Sequence, residues 1–165
     1  MIFVDTGAWF ASVVPTDPDH QSATHWLNLN TQPLLTTDYV IDETLTLLRA
    51  RGETTRALRL GEQFFAGNLA NLYFVSEDDV RETWEVFRRY SDKRWSFTDC
   101  SSRVVIQKLG ITHAFSFDKD FVQFGWLSLL RNRPPARYFE PATFFTSSRI
   151  VSSGGRSCGS LPTCK

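Results

Sequence analysis

The chain lacks the features that direct a protein to a membrane or to an oxidising compartment. It has three cysteines among 165 residues, an odd number without C-x-x-C spacing, which predicts neither a disulfide framework nor a zinc site. No basic region stands at the N-terminus, and Asp5 interrupts its apolar run, which argues against a signal peptide. No stretch approaches the ~18 apolar residues that a membrane span needs. We therefore expect a cytoplasmic protein.

An excess of basic residues is also lacking, although the net charge of zero conceals an asymmetry. Residues 1–130 contain 12 Lys and Arg against 17 Asp and Glu, a net charge of −5, whereas residues 131–165 contain 6 against Glu140 alone, a net charge of +5. The second segment has 13 Ser, Gly and Pro among 35 residues and no periodicity. We predict an acidic folded domain, 1–130, followed by a basic, flexible tail, 131–165. An acidic domain attracts phosphates poorly, unless its acids gather around cations.

Short apolar segments alternate with helical segments along residues 1–130. The patterns predict strands at 1–4, 34–36, 72–75 and 113–117, and a last edge strand at 126–130. They predict helices at 8–14, 18–28, 39–50, 54–66, 77–90 and 99–109, with Asp17, Ser76 and Thr98 as N-caps of the second, fifth and sixth. Strands separated by helices predict a short parallel sheet covered on both faces, a three-layer α/β/α sandwich.

Four acids come from segments that should end at one edge of this sheet. Asp5 and Asp118 directly follow apolar strands, Asp99 lies in the first turn of a helix, and Glu43 lies in the helix after the second strand. Ligands bind beyond the carboxyl ends of parallel strands, so we expect the four side chains to converge there. Like charges in one site repel, and Mg²⁺ or Mn²⁺, which prefers oxygen ligands, removes that repulsion. Such an ion activates water for phosphoryl displacement, so the sequence predicts phosphodiester hydrolysis.

Each of these acids also has a purely structural interpretation. Asp5 suits an N-cap, Asp99 suits the positive end of a helix dipole, Glu43 suits a solvated helix face, and Asp118 suits an Asx-turn. Only their joint placement at one edge favours a site. Asp120 is interpreted as a turn residue that can support a metal ligand through hydrogen bonds. Three basic residues near the acids are candidates for phosphate contacts, although a solvated surface role is favoured for them: Arg94, Arg103 and Lys119.

The order of these residues resembles the motifs of the PIN-domain family. The matching segments are Ile2–Thr6, the helical Glu43, Phe97–Cys100 and Phe115–Phe121 followed by Gly125. The resemblance covers about residues 1–130. It implies an α/β/α nuclease that holds Mg²⁺ or Mn²⁺ at the four acids and cleaves single-stranded RNA.

Within that family the chain is similar in size to VapC-type toxins of toxin–antitoxin pairs. This similarity implies a homodimer and a small antitoxin that covers the acidic site. Our hypothesis for the roles is that Asp5, Asp99 and Asp118 are the main metal ligands, directly or through water, and that Glu43 completes the site and orients or deprotonates the attacking water. Two threonines are expected to hydrogen-bond to neighbouring carboxylates: Thr6 and Thr98. The tail, 131–165, has no counterpart in such toxins, and is interpreted either as an RNA-binding arm or as an artefact of the reading frame.

Two other enzyme classes and one non-catalytic class compete with this interpretation. A toprim-like site would use the D-x-D at Asp118 and Asp120, but it requires a Glu where Asp5 stands. A haloacid-dehalogenase phosphatase requires a second acid two residues after Asp5, where Gly7 stands. A Gly-rich phosphate loop is absent. A PIN-like scaffold or RNA-binding module without catalysis stays open, and metal binding distinguishes it from an enzyme.

Overall fold

The computed structural model describes residues 1–125 and 128–129. These residues form short strands that alternate with α-helices. The strands are β1 (Ile2–Val4), β2 (Leu34–Thr37), β3 (Asn71–Tyr73), β4 (His113–Phe115) and β5 (Ser128–Leu129). The helices are α1 (Thr6–Val13), α2 (His20–Leu29), α3 (Asp38–Ala50), α4 (Thr54–Phe65), α5 (Glu77–Arg89) and α6 (Phe97–Lys108), and a 3₁₀-helix (Asp120–Phe124) precedes β5.

The strands form one parallel sheet in the order β3-β2-β1-β4-β5. Crossovers between parallel strands are right-handed. The steps from β1 to β2 and from β2 to β3 run in one direction, which places α1 to α4 on one face. The step from β3 to β4 runs in the other direction and places α5 and α6 on the opposite face. The predicted three-layer α/β/α sandwich is therefore confirmed. The strand order reverses between β1 and β4, the position at which such sheets bind ligands.

Buried aromatic rings fix the helices against the central strands. On one face Trp26 of α2 stacks on Phe115 of β4, with ring centroids 4.0 Å apart. On the opposite face Phe3 of β1 packs against Phe121, with centroids 6.4 Å apart. All four side chains are buried, and burial of one large apolar side chain stabilises a fold by about 1.5 to 3 kcal/mol. This packing holds the carboxyl ends of β1 and β4 in place.

The predicted start of α2 is wrong by two residues. The sequence predicts a helix from Pro18 with Asp17 as its N-cap, but α2 begins at His20. Asp17 instead accepts a hydrogen bond from the backbone N–H of Asp19 at 2.9 Å. This Asx-turn uses the side-chain acceptor that the predicted cap required.

The predicted N-cap of α6 is also wrong. Thr98 was expected to cap a helix that starts at Asp99, but α6 starts two residues earlier, at Phe97, and Ser96 is its N-cap. The Ser96 hydroxyl accepts a hydrogen bond from the Asp99 N–H at 3.0 Å, and the Asp99 carboxylate accepts one from the Ser96 N–H at 2.7 Å. This reciprocal capping box satisfies two N–H groups, whereas Thr98 alone would satisfy one.

The end of the predicted domain forms two short elements. Part of the predicted strand at 126–130 is present as β5, and the preceding apolar residues form the 3₁₀-helix with Phe121 and Phe124 buried. The tail, 131–165, lies outside the described residues, as do its predicted flexibility and its interpretation as an RNA-binding arm. None of the helices in the described part of the chain has the length and apolar character of a membrane span.

Candidate active site

The four predicted acids line one cavity of about 300 Å³ at the carboxyl edge of the sheet. The cavity lies where β1 and β4 end and where α3 and α6 begin. Its acidic residues come from four separate segments, as the sequence predicts. The lining consists of Asp5, Thr6, Gly7, Val40, Glu43, Leu47, Ser96, Thr98, Asp99, Ser102, Asp118 and Phe121.

Asp5 directly follows β1, and its buried side chain accepts hydrogen bonds from two donors. One carboxylate oxygen accepts from the Ala8 N–H at 2.9 Å and caps α1, and the other accepts from the Ser116 hydroxyl. Burial raises the pKa of Asp5 to about 7, although these hydrogen bonds lower it; the charges of Asp118 and Asp99 raise it further. The side chain therefore caps a helix and also shares an electrostatic site with two other acids.

Asp99 is only partly buried in the first turn of α6. Burial raises the pKa of Asp99, its two hydrogen bonds with Ser96 lower it, and the negative charges of Asp118 and Glu43 raise it. Asp99 thus interacts with acids on both sides of the cavity. The negative charge of Asp118 therefore raises the pKa of both Asp5 and Asp99, and that of Glu43 raises the pKa of Asp99.

Glu43 is held from α3 by the start of α1. The Thr6 hydroxyl donates a hydrogen bond to Oε2 of Glu43 at 2.5 Å. This contact is the one expected for Thr6. Thr98 lines the same cavity, but among the described residues its hydroxyl donates no hydrogen bond to a carboxylate.

Asp118 is exposed at the mouth of the cavity and shapes the turn after β4. Its Oδ1 accepts a hydrogen bond from the Asp120 N–H at 2.8 Å, which forms an Asx-turn. Asp120 accepts in turn from the Gln123 amide at 2.6 Å and is not among the residues that line the cavity. Asp120 therefore reaches the site only through the backbone of this turn.

Sequence reasoning missed Ser116, which joins two of the acids. Its hydroxyl donates to Asp5 and accepts from the Asp118 N–H at 3.0 Å. The signal in the sequence was a serine between Phe115 and Phe117 at the end of an apolar strand, because a hydroxyl that is buried there, as Ser116 is, needs a partner. The partner lies 111 residues away in the chain, so no local pattern reveals which residue it is.

Comparison with known proteins identifies the family. The PIN domain model matches residues 2–127 of this chain. The chain belongs to the PIN-domain family. It is 31% identical over 134 residues to the 23S rRNA-specific endonuclease VapC20 of Mycobacterium tuberculosis, covering 78% of this chain and 98% of the relative. It is 29% identical over 123 residues to a VapC ribonuclease of Archaeoglobus fulgidus, covering 72% of this chain and 77% of that one.

This PIN domain is also similar in structure to one of these relatives. The crystal structure of Mycobacterium tuberculosis VapC20, described as a sarcin-ricin loop cleaving toxin, superposes with a TM-score of 0.73 at 30% identity. The match covers 77% of this chain and 97% of that chain. These relatives confirm the predicted class, an endoribonuclease of the VapC toxin type. The toprim-like and phosphatase alternatives therefore lose their support.

The three basic candidates for phosphate contacts do not line the cavity of this PIN domain, in agreement with the favoured surface role. The Arg103 guanidinium lies over the rings of Tyr90, Trp95 and Phe124, at 5.2, 5.9 and 5.8 Å from their centroids. Arg94 and Lys119 are exposed. Within the described part of the chain, the residues that line the cavity include no Lys or Arg. The cavity is therefore acidic without a local counter-charge.

The donor set of the cavity fits a hard divalent cation. All of its charged groups are carboxylates, the ligands that Mg²⁺ and Mn²⁺ prefer. Over residues 1–125, however, no three His, Cys, Asp or Glu side chains lie close enough to hold one ion as they stand. The Glu43 carboxylate is hydrogen-bonded to Thr6, and the Asp118 carboxylate is hydrogen-bonded to the Asp120 N–H within its own turn. Coordination by three of these groups therefore requires side-chain rearrangement.

Proposed function

We propose that this VapC-type ribonuclease is metal-dependent, that it cleaves single-stranded segments of RNA, and that it is the toxin of a VapBC-type pair. The observation that carries the proposal is the shared cavity, in which four carboxylates meet and the described lining residues include no Lys or Arg. A cation relieves their repulsion, and an acidic site of this kind has no other evident way to accept a phosphodiester.

The contacts of each acid support separate roles. Asp5, Asp99 and Asp118 would hold Mg²⁺ or Mn²⁺, directly or through water, because their charges interact with one another. Glu43 would orient or deprotonate the attacking water, with its carboxylate held by the Thr6 hydroxyl. When bound, the ion would lower the pKa of that water and stabilise charge on the phosphoryl oxygens.

The names of the relatives indicate which RNA to test first. One relative is a 23S rRNA-specific endonuclease, and its crystal structure is described as that of a sarcin-ricin loop cleaving toxin. We propose an exposed loop of a structured RNA as the substrate class, because unpaired bases in loops can be splayed out and recognised by stacking. The sarcin-ricin loop of 23S rRNA is the first candidate within that class.

The biological setting follows from the family. We propose that the chain acts in the cytoplasm, that it forms a homodimer, and that a small antitoxin covers the acidic cavity. Support for the last point is the charge of the cavity, because a basic segment of a partner would neutralise the four acids as a cation does.

The test is cleavage of total RNA and of a sarcin-ricin loop RNA by the purified full chain, with Mg²⁺ or Mn²⁺ and with EDTA. Discrete cuts are expected with metal, and they should disappear with EDTA and in Asp5→Ala and Asp99→Ala. Asp42→Ala is the matched control, because Asp42 is exposed, precedes Glu43 and does not line the cavity. Cutting that persists in EDTA would overturn metal dependence. No cutting, with no rise in melting temperature on adding Mn²⁺, would favour the non-catalytic RNA-binding or scaffold module.

A further inference from the structure

A buried hydroxyl on the wall of the acidic cavity has no partner within the described residues. Ser102 of α6 is 1% exposed and lines the cavity, and in the described part of the chain its side chain makes no hydrogen bond. Other buried hydroxyls on helices, those of Thr44 and Thr83, donate to the carbonyl four residues earlier. A buried hydroxyl is generally hydrogen-bonded to protein or to water. We therefore expect the partner of Ser102 to lie in the cavity.

The preceding residue, Ser101, is also buried and without a partner, but it has no access to the cavity. Ser101 is 0% exposed, its hydroxyl is enclosed without a hydrogen-bond partner, and it is not among the residues that line the cavity. The Ser102 hydroxyl is not among the enclosed, unpartnered polar atoms of the described residues. The small surface that Ser102 exposes thus includes its hydroxyl and opens into the cavity. The two serines share one helix and one chemistry, and they differ in what their hydroxyls can reach.

Ser102 lies at the enclosed end of the cavity, next to the acids. Two polar side chains of the lining are buried, those of Asp5 and Ser102, whereas Asp118 is exposed at the mouth. Asp99 precedes Ser102 by three positions on α6, so the two side chains are neighbours on one face of that helix. A phosphodiester carries a ribose on each side and approaches from the mouth. The partner of the Ser102 hydroxyl is therefore a small molecule that also suits carboxylates, and water meets both conditions.

The spacing of the acids calls for water between them and a cation. In the described part of the chain no three His, Cys, Asp or Glu side chains lie close enough to hold one ion as they stand. Mg²⁺ keeps several of its waters when carboxylates bind it. A water of this kind gives its oxygen lone pair to the ion, so its two hydrogens need acceptors. A carboxylate can accept one of them, and a serine hydroxyl can accept the other while it donates its own hydrogen onward.

We propose that the Ser102 hydroxyl holds a water molecule in the hydration shell of a divalent cation bound among the four acids. Ser102 is then a positioning residue, which acts on the cation through this water and contacts neither the ion nor the RNA. The inference rests on the proposed metal dependence, and it adds a residue that the order of the acids does not indicate. Loss of such a hydrogen-bonding group beside a metal site weakens metal binding by about 10- to 100-fold.

The first experiment measures binding of Mn²⁺ to the metal-free full chain by isothermal titration calorimetry. Ser102→Ala should raise the Kd for Mn²⁺ by about 10- to 100-fold. Ser101→Ala is the matched control, and it should leave the Kd unchanged because its hydroxyl does not reach the cavity. An unchanged Kd in Ser102→Ala would overturn the proposal. Equal weakening in the two variants would also overturn it, because access to the cavity would then not matter.

The melting temperature of the metal-free protein distinguishes positioning from a merely structural role. Neither substitution breaks a side-chain hydrogen bond within the described residues, and each removes a buried hydroxyl without a protein partner. Both metal-free variants should therefore melt at or above the wild-type temperature. A metal-free Ser102→Ala chain that melts well below wild type, while Ser101→Ala does not, would assign the hydroxyl to the fold and overturn the proposal.

Kinetics in saturating Mn²⁺ distinguish water from RNA as the partner of Ser102. KM for RNA should stay close to wild type in Ser102→Ala, because the hydroxyl makes no contact with the phosphodiester. A raised KM with an unchanged Kd for Mn²⁺ would assign the hydroxyl to a phosphoryl oxygen and overturn the proposal. Wild type that binds no Mn²⁺ would overturn the proposed metal dependence and this inference with it. Equal Mn²⁺ binding in wild type, Ser101→Ala and Ser102→Ala would overturn this inference alone.

Discussion

Single residues in this site carry a structural role and a proposed chemical role together. Asp5 caps α1, Asp99 completes the capping box of α6, and Asp118 forms an Asx-turn, while all three line one cavity. For these three acids the structural interpretation is therefore correct and does not compete with the functional one. The carboxyl edge of a parallel sheet is where helices begin, so the positions that need caps are also the positions that face a ligand.

Asp99→Asn should abolish cleavage with little loss of stability. The amide oxygen can still accept the hydrogen bond from the Ser96 N–H, so α6 keeps its cap, but the negative charge is lost. Cleavage in Mn²⁺ should fall by more than about 100-fold, the upper effect of residues that only support metal ligands. The melting temperature of the metal-free protein should stay within about 3 °C of wild type. Turnover at the wild-type rate would remove Asp99 from the proposed mechanism.

Asp5→Asn should stabilise the metal-free protein more at pH 8 than at pH 5. The pKa of Asp5 is raised from 3.8 to about 7 by burial, so between these values the folded chain binds more protons than the unfolded chain. Stability contributed by this group therefore falls as pH rises, and the loss is complete above about pH 7. The asparagine side chain stays neutral at every pH in this range, so the variant loses no stability from ionisation at this position. The measurement is the difference in melting temperature between variant and wild type in EDTA at pH 5 and pH 8. A difference that does not change with pH would contradict the raised pKa of Asp5.

At the scale of elements, a buried carboxylate fixes α5 and α6 against the edge of the sheet. Asp79 accepts hydrogen bonds from the Lys108 ammonium at 2.7 Å, from the Tyr73 hydroxyl at 2.8 Å, and from the Ser76 hydroxyl and N–H at 2.7 and 3.0 Å. Burial alone would raise the pKa of Asp79, but these donors outweigh it and hold the pKa well below its usual range. The network joins β3, the start of α5 and the end of α6, the helix that carries Asp99.

Asp79→Ala should lower the free energy of unfolding by about 2 to 3 kcal/mol, because several charge-assisted hydrogen bonds are lost together. The folded pKa is lower than the unfolded value of 3.8, so this contribution is present above about pH 4 and is lost as pH falls through the folded pKa. Urea unfolding at pH 7 and at pH 3 measures both effects. Asp78→Ala is the control, because Asp78 is exposed and adjacent, and its change should stay within about 0.5 kcal/mol. Equal losses in the two variants would contradict the role of the network.

The sequence predicted elements better than it predicted their ends. Ser76 was identified correctly as a cap because acids follow it directly and an apolar face begins at Val80. Near α6 the sequence pattern selected Thr98, whereas the capping box between Ser96 and Asp99 sets the first residue of the helix. Asp17 suits a turn and a helix cap equally, and only the structure shows which acceptor geometry occurs. Local patterns thus determine the kind of element, and side-chain hydrogen bonds determine its first residue.

The site was predicted from the order of its acids, whereas its supporting contacts were not. Asp5, Glu43, Asp99 and Asp118 could be selected because each follows a strand or lies in the first two turns of a helix at the same edge. The hydrogen bond from Ser116 to Asp5 depends on the register of β1 and β4, which pairs Val4 with Phe115. Neither strand contains a signal for that register. Long-range hydrogen bonds of this kind follow from the packing of the sheet, and a single sequence does not specify them.

At the scale of the whole molecule, a divalent cation should act as a stabilising ligand. An ion that binds only the folded chain stabilises it by about 2.7 kcal/mol at 100 times its Kd, which corresponds to a rise in melting temperature of about 5 to 10 °C for a domain of this size. We expect this rise with Mn²⁺ in wild type and in Asp42→Asn, and its loss in Asp99→Asn. Scanning fluorimetry at constant ionic strength measures it. The same rise in Asp99→Asn would place the ion elsewhere.

Because β1 lies in the middle of the sheet, the cavity cannot form until β4 has been synthesised. β1 pairs with β2 on one side and with β4 on the other, and β4 is synthesised about 110 residues after β1. A chain still in synthesis cannot pair β1 with β4 before β4 has been made. Until Phe115, Ser116 and Asp118 emerge, one edge of β1 is open and Asp5 has neither its hydroxyl donor nor its acidic neighbour. An incomplete chain, even one made beside ribosomal RNA, therefore has no assembled site with which to cut it.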